Sequence, residues 1–518
     1  MSAGKGSAEE AKEKRPLLAA IRQNLEIIKN DLGNSGDIIF REVWLASGEA
    51  IAVIYVDCLA DKQAVSDFIL EPMIYEAHLP GTDSGGSPVS PGDALRSLKR
   101  YVLATAETKE VTNFEELYNA LLSGETIILV DGHRAALTAS TRGWRDRGVA
   151  ETTSESVVRG PKEAFTETLR TNTAMVRRKI KDPNLWLESW QIGRVTQTDV
   201  AVMYIKGIAS DKVVEEVRTR LERIDIDGIL ESGYIEELIQ DETYTPFPTI
   251  YNSERPDVIA AELLEGKVAI LVDGTPFVLI VPALFVSFLH SAEDYYHRAD
   301  VSTLVRLLRY LGVFIALFSP SLYVAITTYH QEMLPTQLLI SLAAQREGVP
   351  FPAFIEAMMM EVAFEILREA GLRMPRTIGP AVSIVGTLVI GQAAVDAGIV
   401  SAAMVIVVST TAIASFVFPS YSMANTIRML RFPLMGLAAS FGLFGIIVGI
   451  FALVLHVSSL RTFGVPYMSP FAPMIVADQK DAIIRMPHWA MFSRPRLINQ
   501  NNVKRQQDPK AAKPGPKK

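Results

Sequence analysis

Two stretches, LLSGETIILVDG from Leu121 and LLEGKVAILVDG from Leu263, agree at eight of twelve positions. A second pair keeps the same order: AVIYVDCLADKQAV from Ala52 and AVMYIKGIASDKVV from Ala201. The offsets are 142 and 149 residues, so the first copy is seven residues longer. The extra length falls to residues 78–92, HLPGTDSGGSPVSPG, a stretch dense in turn formers. In each copy a β-rich run leads into an amphipathic helix such as KVVEEVRTRLERI. A second helix follows, ending at Gly124 or Gly266, and then a strand closed by Asp-Gly. Asp-Gly is a hairpin signal, because both turn positions favour positive φ. That turn accounts for Asp131 and Asp273 without a catalytic role. Alternating strands and helices predict a small α/β lobe with a central sheet in each copy. Two such lobes serve either as a ligand cleft or as a duplicated scaffold for assembly.

Charge divides the chain. Up to Asp273 charged residues recur every few positions, whereas residues 310–329, 377–395, 397–427 and 432–459 contain no Asp, Glu, Lys or Arg. About 20 apolar residues are needed to cross roughly 30 Å of hydrocarbon. Four spans are therefore expected, at about 309–329, 379–399, 402–420 and 434–457. The fold class is an α/β soluble N-terminal region of two repeated lobes, followed by an all-α transmembrane helical bundle. The expected boundaries are 1–40 (an N-terminal segment, partly disordered), 41–150 (first lobe), 151–195 (helical linker), 196–292 (second lobe), 293–470 (membrane domain) and 471–518 (a basic, disordered tail). The alternative for the tail is contact with anionic lipid headgroups. Residues 277–289 read as the second lobe's last strand plus an interfacial helix. Four spans return the tail to the side of the N-terminus.

Residues 354–370, FIEAMMMEVAFEILREA, are amphipathic and hold Glu361, Glu365 and Arg368. Glu365 and Arg368 stand three apart, a spacing at which they can pair on one helix face. A helix lying on the membrane surface is expected, and a tilted or re-entrant helix facing water is the alternative. The second span, GPAVSIVGTLVIGQAAVDAG from Gly379, is the least lipid-like of the four. Leu388, Gln392 and Asp396 recur at helical spacing, with Thr387 and Gly391 beside them. Small residues such as Gly386 and Gly391 suit close helix packing. Gln392 and Asp396 demand polar or aqueous company, and an apolar ring beside a polar ring gates a pore by dewetting. These five residues are the candidate pore and gate.

The net charge of −7 argues against nucleic acid as a partner. The single cysteine, Cys58, reads as a buried structural thiol. The opening MSAGKGSAEEAKEKRP lacks an apolar stretch, so no secretory signal is expected. No phosphate loop, metal-ligand spacing or nucleophile–base set is present, so no catalytic, cofactor or metal site is assigned and the chain is not read as an enzyme.

Several blocks resemble the GerA-type spore germinant receptor A subunits of endospore-forming bacteria. They are VVRGPKEAF from Val157, YTPFPTIYNSERPD from Tyr244, VAILVDGTPFVLIVP from Val268, LPTQLLISLAAQREGVPFP from Leu334, EILREAGLRMP from Glu365 and VIGQAAVDAGIVS from Val389. They occur in family order over about residues 157–470; the first lobe and the tail beyond Ala477 match poorly. The resemblance implies a role in spore germination and a place in the inner membrane of the spore, with the N-terminal domain on the cytoplasmic (core) side. It implies a transporter-like B subunit and a lipoprotein C subunit as partners, and a homo-oligomer acting as a nutrient-gated cation channel. A sporulation-stage paralog acting as an accessory ion channel, and a secondary transporter subunit, are the alternatives.

Overall fold

The structure, a computed structural model, describes residues 15–44, 49–73, 108–143, 152, 155, 157–373, 391–498 and 502–505. Thr387, Leu388 and the turn-rich stretch 78–92 lie outside the described residues.

The two sequence repeats fold alike. The first lobe comprises α1 (Ile21–Asp31), β1 (Ile38–Trp44), β2 (Ala50–Val56), β3 (Thr108–Val111), α2 (Phe114–Leu121), β4 (Thr126–Val130) and β5 (Ala136–Ala139). The second comprises α3 (Leu169–Lys179), β6 (Leu185–Ile192), β7 (Thr198–Ile205), α4 (Asp211–Glu222), α5 (Ser232–Ile239), β8 (Tyr251–Ser253), α6 (Pro256–Leu264), β9 (Val268–Val272) and β10 (Val278–Val281). The sheet orders are β1-β2-β4-β5-β3 and β6-β7-β9-β10-β8. All neighbours are antiparallel. Even the register repeats: Ala52 faces Leu129, and Ala201 faces Leu271. β4 and β9 are buried throughout, as strands covered on both faces should be.

Strand pairing sets lobe limits that turn formers do not show. Residues 151–195, read above as a linker, carry α3 and β6, which pairs with β7 over eight residues; α1 is the matching helix of the first lobe. The Asp-Gly pairs also differ from expectation. Only Gly132 (φ 84°) and Gly274 (φ 91°) are left-handed, and each loop runs to five residues, 131–135 and 273–277. The aspartates turn outward instead. Asp131 accepts from Ile21 N (3.0 Å) and Asp273 from Leu169 N (2.9 Å), capping α1 and α3, whose own N-cap residues, Ala20 and Thr168, make no side-chain cap. Cys58 sits half-buried in the turn after β2 (φ 60°), outside the strand interior where it was expected.

The helical region comprises α7 (Ala299–Tyr329), α8 (Thr336–Arg346), α9 (Ala353–Arg373), α10 (Gly391–Asp396), α11 (Ala402–Ser415) and α12 (Tyr421–Ser459). Two of these, α7 and α12, are long and apolar enough to cross a membrane. α12 is not one rod. Gly442 breaks it at φ 60°, ψ −141°, and a Cβ on Gly449 would come within 2.6 Å of Leu434. In a continuous helix those residues would be about 22 Å apart. The chain therefore folds back into two antiparallel arms, 421–441 and 443–459, in place of the single span expected at 434–457. Tyr329 donates to the carbonyls of Ala439 (2.8 Å) and Ser440 (3.2 Å) next to the break. Both open ends return to one loop of the second lobe: Thr426 donates to the Pro246 carbonyl, and His456 Nε2 lies 2.8 Å from the Thr245 hydroxyl.

The base of this bundle shares a core with the second lobe. Ala316, Leu317, Ala414, Met423, Ile427 and Val457 pack in one cluster with Phe247, Tyr251, Phe288 and Tyr467. Within residues 277–289 the strand is β10, and the short helix Phe285–Leu289 is buried here rather than interfacial. The tail also departs from its composition. As far as Arg505 its described residues fold back onto the second lobe. Arg494 is buried and donates to the Leu264 carbonyl (2.7 Å), Arg505 pairs with Glu265, and Ser493 bridges Lys504. Remote carbonyls and an acid accept the hydrogen bonds of charges that in sequence look solvated.

Candidate functional site

α10 carries the described part of the candidate stripe. Gln392 Nε2 donates to Asp396 Oδ1 at 3.0 Å, one turn apart, and both side chains are exposed. Gly391 is buried, and a Cβ there would touch Val405 at 3.6 Å, so α10 packs closely on α11 at this point. Gly398 at φ 65° follows the helix, a left-handed position just past its end.

Most charges of α9 face the bundle; only Glu369 and Arg373, at its C-terminal end, pair with each other at the surface (2.7 Å). Glu356 and Glu361 are fully buried. Glu356 accepts from Ser401 N (3.0 Å) and Oγ (2.9 Å) at the start of α11, and Arg346 Nε stands 3.4 Å away. Glu361 lies 3.0 Å from Arg431 Nη1. Glu365 pairs with Arg428 (2.8 Å) and Arg431 (3.4 Å), not with Arg368, whose guanidinium lies 5.5 Å over the Tyr421 ring. The expected surface helix is thus a packed member of the bundle. Periodicity within α9 could not reveal this, because the counter-charges of Glu361 and Glu365 lie more than sixty residues away. In the sequence Arg428 and Arg431 stand between two uncharged runs and read as boundary markers.

A second cluster ties bundle to lobe. Asp294 holds Arg306 (3.1 Å) and Arg309 (2.6 Å), and Asp481 from the tail holds Arg306 (2.8 Å) and accepts from Tyr295 (2.9 Å). Burial opposes the charge on Asp294, but the two arginines outweigh it and hold the carboxyl below the usual range. Burial pushes Glu265 up to about 7, with Arg505 pulling the other way. Nothing in the sequence flagged this cluster, because its members come from three separate segments. Among the described residues no group of three or more His, Cys, Asp or Glu could hold a metal ion.

The family model for the Bacillus/Clostridium GerA spore germination protein matches residues 26–497. The match takes in the first lobe and most of the tail, beyond the blocks that carried the resemblance. Spore germination protein KA of Bacillus subtilis (strain 168) is 50% identical over 498 residues, covering 95% of this chain and 90% of that protein. The uncharacterized membrane protein YfkQ of the same organism is 43% identical, covering 97% and 96%. The crystal structure of the N-terminal domain of the A subunit of the Bacillus megaterium spore germinant receptor GerK3 is 44% identical over 52% of this chain and 98% of that one, with a TM-score of 0.42. This chain belongs to the Bacillus/Clostridium GerA spore germination protein family.

Proposed function

We propose that this chain is the membrane-embedded A subunit of a germinant receptor. In this reading it works with a transporter-like B subunit and a lipoprotein C subunit, and copies of it surround a nutrient-gated cation pore in the inner spore membrane. Family membership across residues 26–497 supports the receptor role. The observation that carries the pore is the exposed Gln392–Asp396 pair at the end of the uncharged run 377–395. An ionised aspartate facing lipid costs about 2.5–3.5 kcal/mol on insertion scales, so this pair suits an aqueous lumen.

In this reading α9 crosses the membrane, and the two arms that meet at Gly442 are two spans where one was expected. With 379–399 kept as a span, six crossings replace four, the parity is unchanged, and both termini lie on the cytoplasmic (core) side. Cysteine labelling at Ser2 and Lys517 in a Cys58→Ser background should give equal accessibility from that side; opposite accessibility breaks the topology.

Leu388, one turn before Gln392, is the apolar ring of the stripe in this reading. Leu388→Ala should release ions from spores without nutrient, while Leu388→Trp should block the response at unchanged subunit levels. Normal dormancy, response and abundance in Leu388→Ala spores would remove this stripe from the gate.

A further inference from the structure

α9 is held to the bundle in an unusual way. Its first turns bury Ala353, Glu356 and Ala357, but from there to Arg373 the one fully buried side chain is Glu361. Phe354, Met358 and Met360 pack half-buried against the bundle core, whereas Ile366 and Leu372 further along are 63% and 58% exposed. The facing arm of α12 supplies Arg431, also fully buried, and Arg428. The contacts run antiparallel, Glu361 to Arg431 and Glu365 to Arg428, with Arg431 bridging both acids. Two acids and two bases leave the cluster neutral, which a low-dielectric bundle requires.

The pairing is nevertheless incomplete. Both Glu361 oxygens, and Nε and Nη1 of Arg431, make no aligned hydrogen bond, although Arg431 Nη1 and Glu361 Oε2 are 3.0 Å apart. Buried ion pairs without hydrogen bonds on every lone pair contribute little net stability, and apolar residues of similar volume would serve the fold as well. A poorly satisfied charge cluster on an otherwise lightly buried helix suits an element with two arrangements, not a permanent staple. In sequence α9 is followed, after residues 374–390, by the helix that carries Gln392 and Asp396.

We infer that Glu361, Glu365, Arg428 and Arg431 form a charge latch whose closed state, seen here, holds α9 against the α12 hairpin and keeps the stripe that follows in its resting position. This rests on the channel reading above. The four are positioning residues: they act through α9 and do not line the ion path. Opening the latch frees α9 to shift and is the step that nutrient binding drives.

The test measures potassium release per receptor subunit in spores, with and without nutrient, for Glu361→Gln, Glu365→Gln and the swap Glu361→Arg with Arg431→Glu. Glu365 is partly exposed, so Glu365→Gln keeps the assay decisive if Glu361→Gln does not accumulate. Each single change should raise nutrient-free release about tenfold, the scale of an ordinary coupling between sites, and the swap should restore dormancy. Two results overturn the latch: single variants at normal levels with unchanged release and response, or lowered levels that the swap rescues with no leak in any variant. The wild-type complex in liposomes separates the two claims. If it passes no cation, the channel reading falls and the latch with it; if it conducts and the variants match it, the latch alone falls.

Discussion

The two lobes share sheet order, strand register and helix cap, yet they face different neighbours. Position 29 in α1 corresponds to position 177 in α3. In the first lobe it is Lys29, half-buried with its ammonium 5.2 Å over the Phe40 ring. In the second it is Arg177, fully buried and reaching into the first lobe to pair with Asp37, while donating to its own Leu185 carbonyl at 3.0 Å. The second lobe also takes up the tail and the base of the bundle through Glu265, Thr245 and Pro246. Duplication preserved the core, and the surfaces diverged to join the copies in series. The second lobe is the coupling piece; the first reaches the helices only through it in the contacts described.

The Arg177–Asp37 pair is the sharpest point of that contrast. Removing one partner of a buried pair leaves a desolvated charge and costs about 3–5 kcal/mol. Asp37→Ala should destabilise the detergent-solubilised chain by that amount in equilibrium denaturation, and adding Arg177→Met should recover most of it. Lys29→Ala, at the equivalent site, should stay within about 1 kcal/mol, as exposed or half-exposed charges do. Equal costs at positions 29 and 177 would mean that apolar contacts alone join the lobes.

The repeat was legible in sequence because its buried strands conserve a pattern of hydrophobicity and a Gly-terminated helix. Its start was not: α1 and α3 share Asn24 and Asn172, which each bond a carbonyl six residues back, but little else that a reader would align. In the helical region the uncharged runs located apolar segments, but they could not show a reversal inside one of them. Gly442 is one glycine among several in residues 432–459, and only its backbone angles mark the fold. The charges of α9 misled for a related reason. Amphipathicity reports how polar a helix face is, and says nothing of whether water or an arginine waits opposite.

The smallest effect probes how far the repeat extends into energetics. Asp131 and Asp273 perform the same act, each capping a helix from a hairpin over a hundred residues away in sequence. The backbone doubles each link: Gly132 N donates to the Ala19 carbonyl at 2.9 Å and Gly274 N to that of Glu167 at 2.7 Å. Losing a side-chain cap costs typically about 1 kcal/mol. Asp131→Ala and Asp273→Ala should therefore each speed amide exchange in the first turn of the capped helix, by roughly fivefold at that energy, and leave the other lobe's helix unchanged. Asn at either site keeps the acceptor oxygen and should restore most of the protection. The two responses should differ in size. α1 depends on its cap and its own core, whereas α3 is also held by Arg177 across the lobe boundary, so the Asp273→Ala effect should be the smaller. If the two helices respond equally, Arg177 holds the lobes together without steadying α3, and the divergence between the copies is confined to their interface.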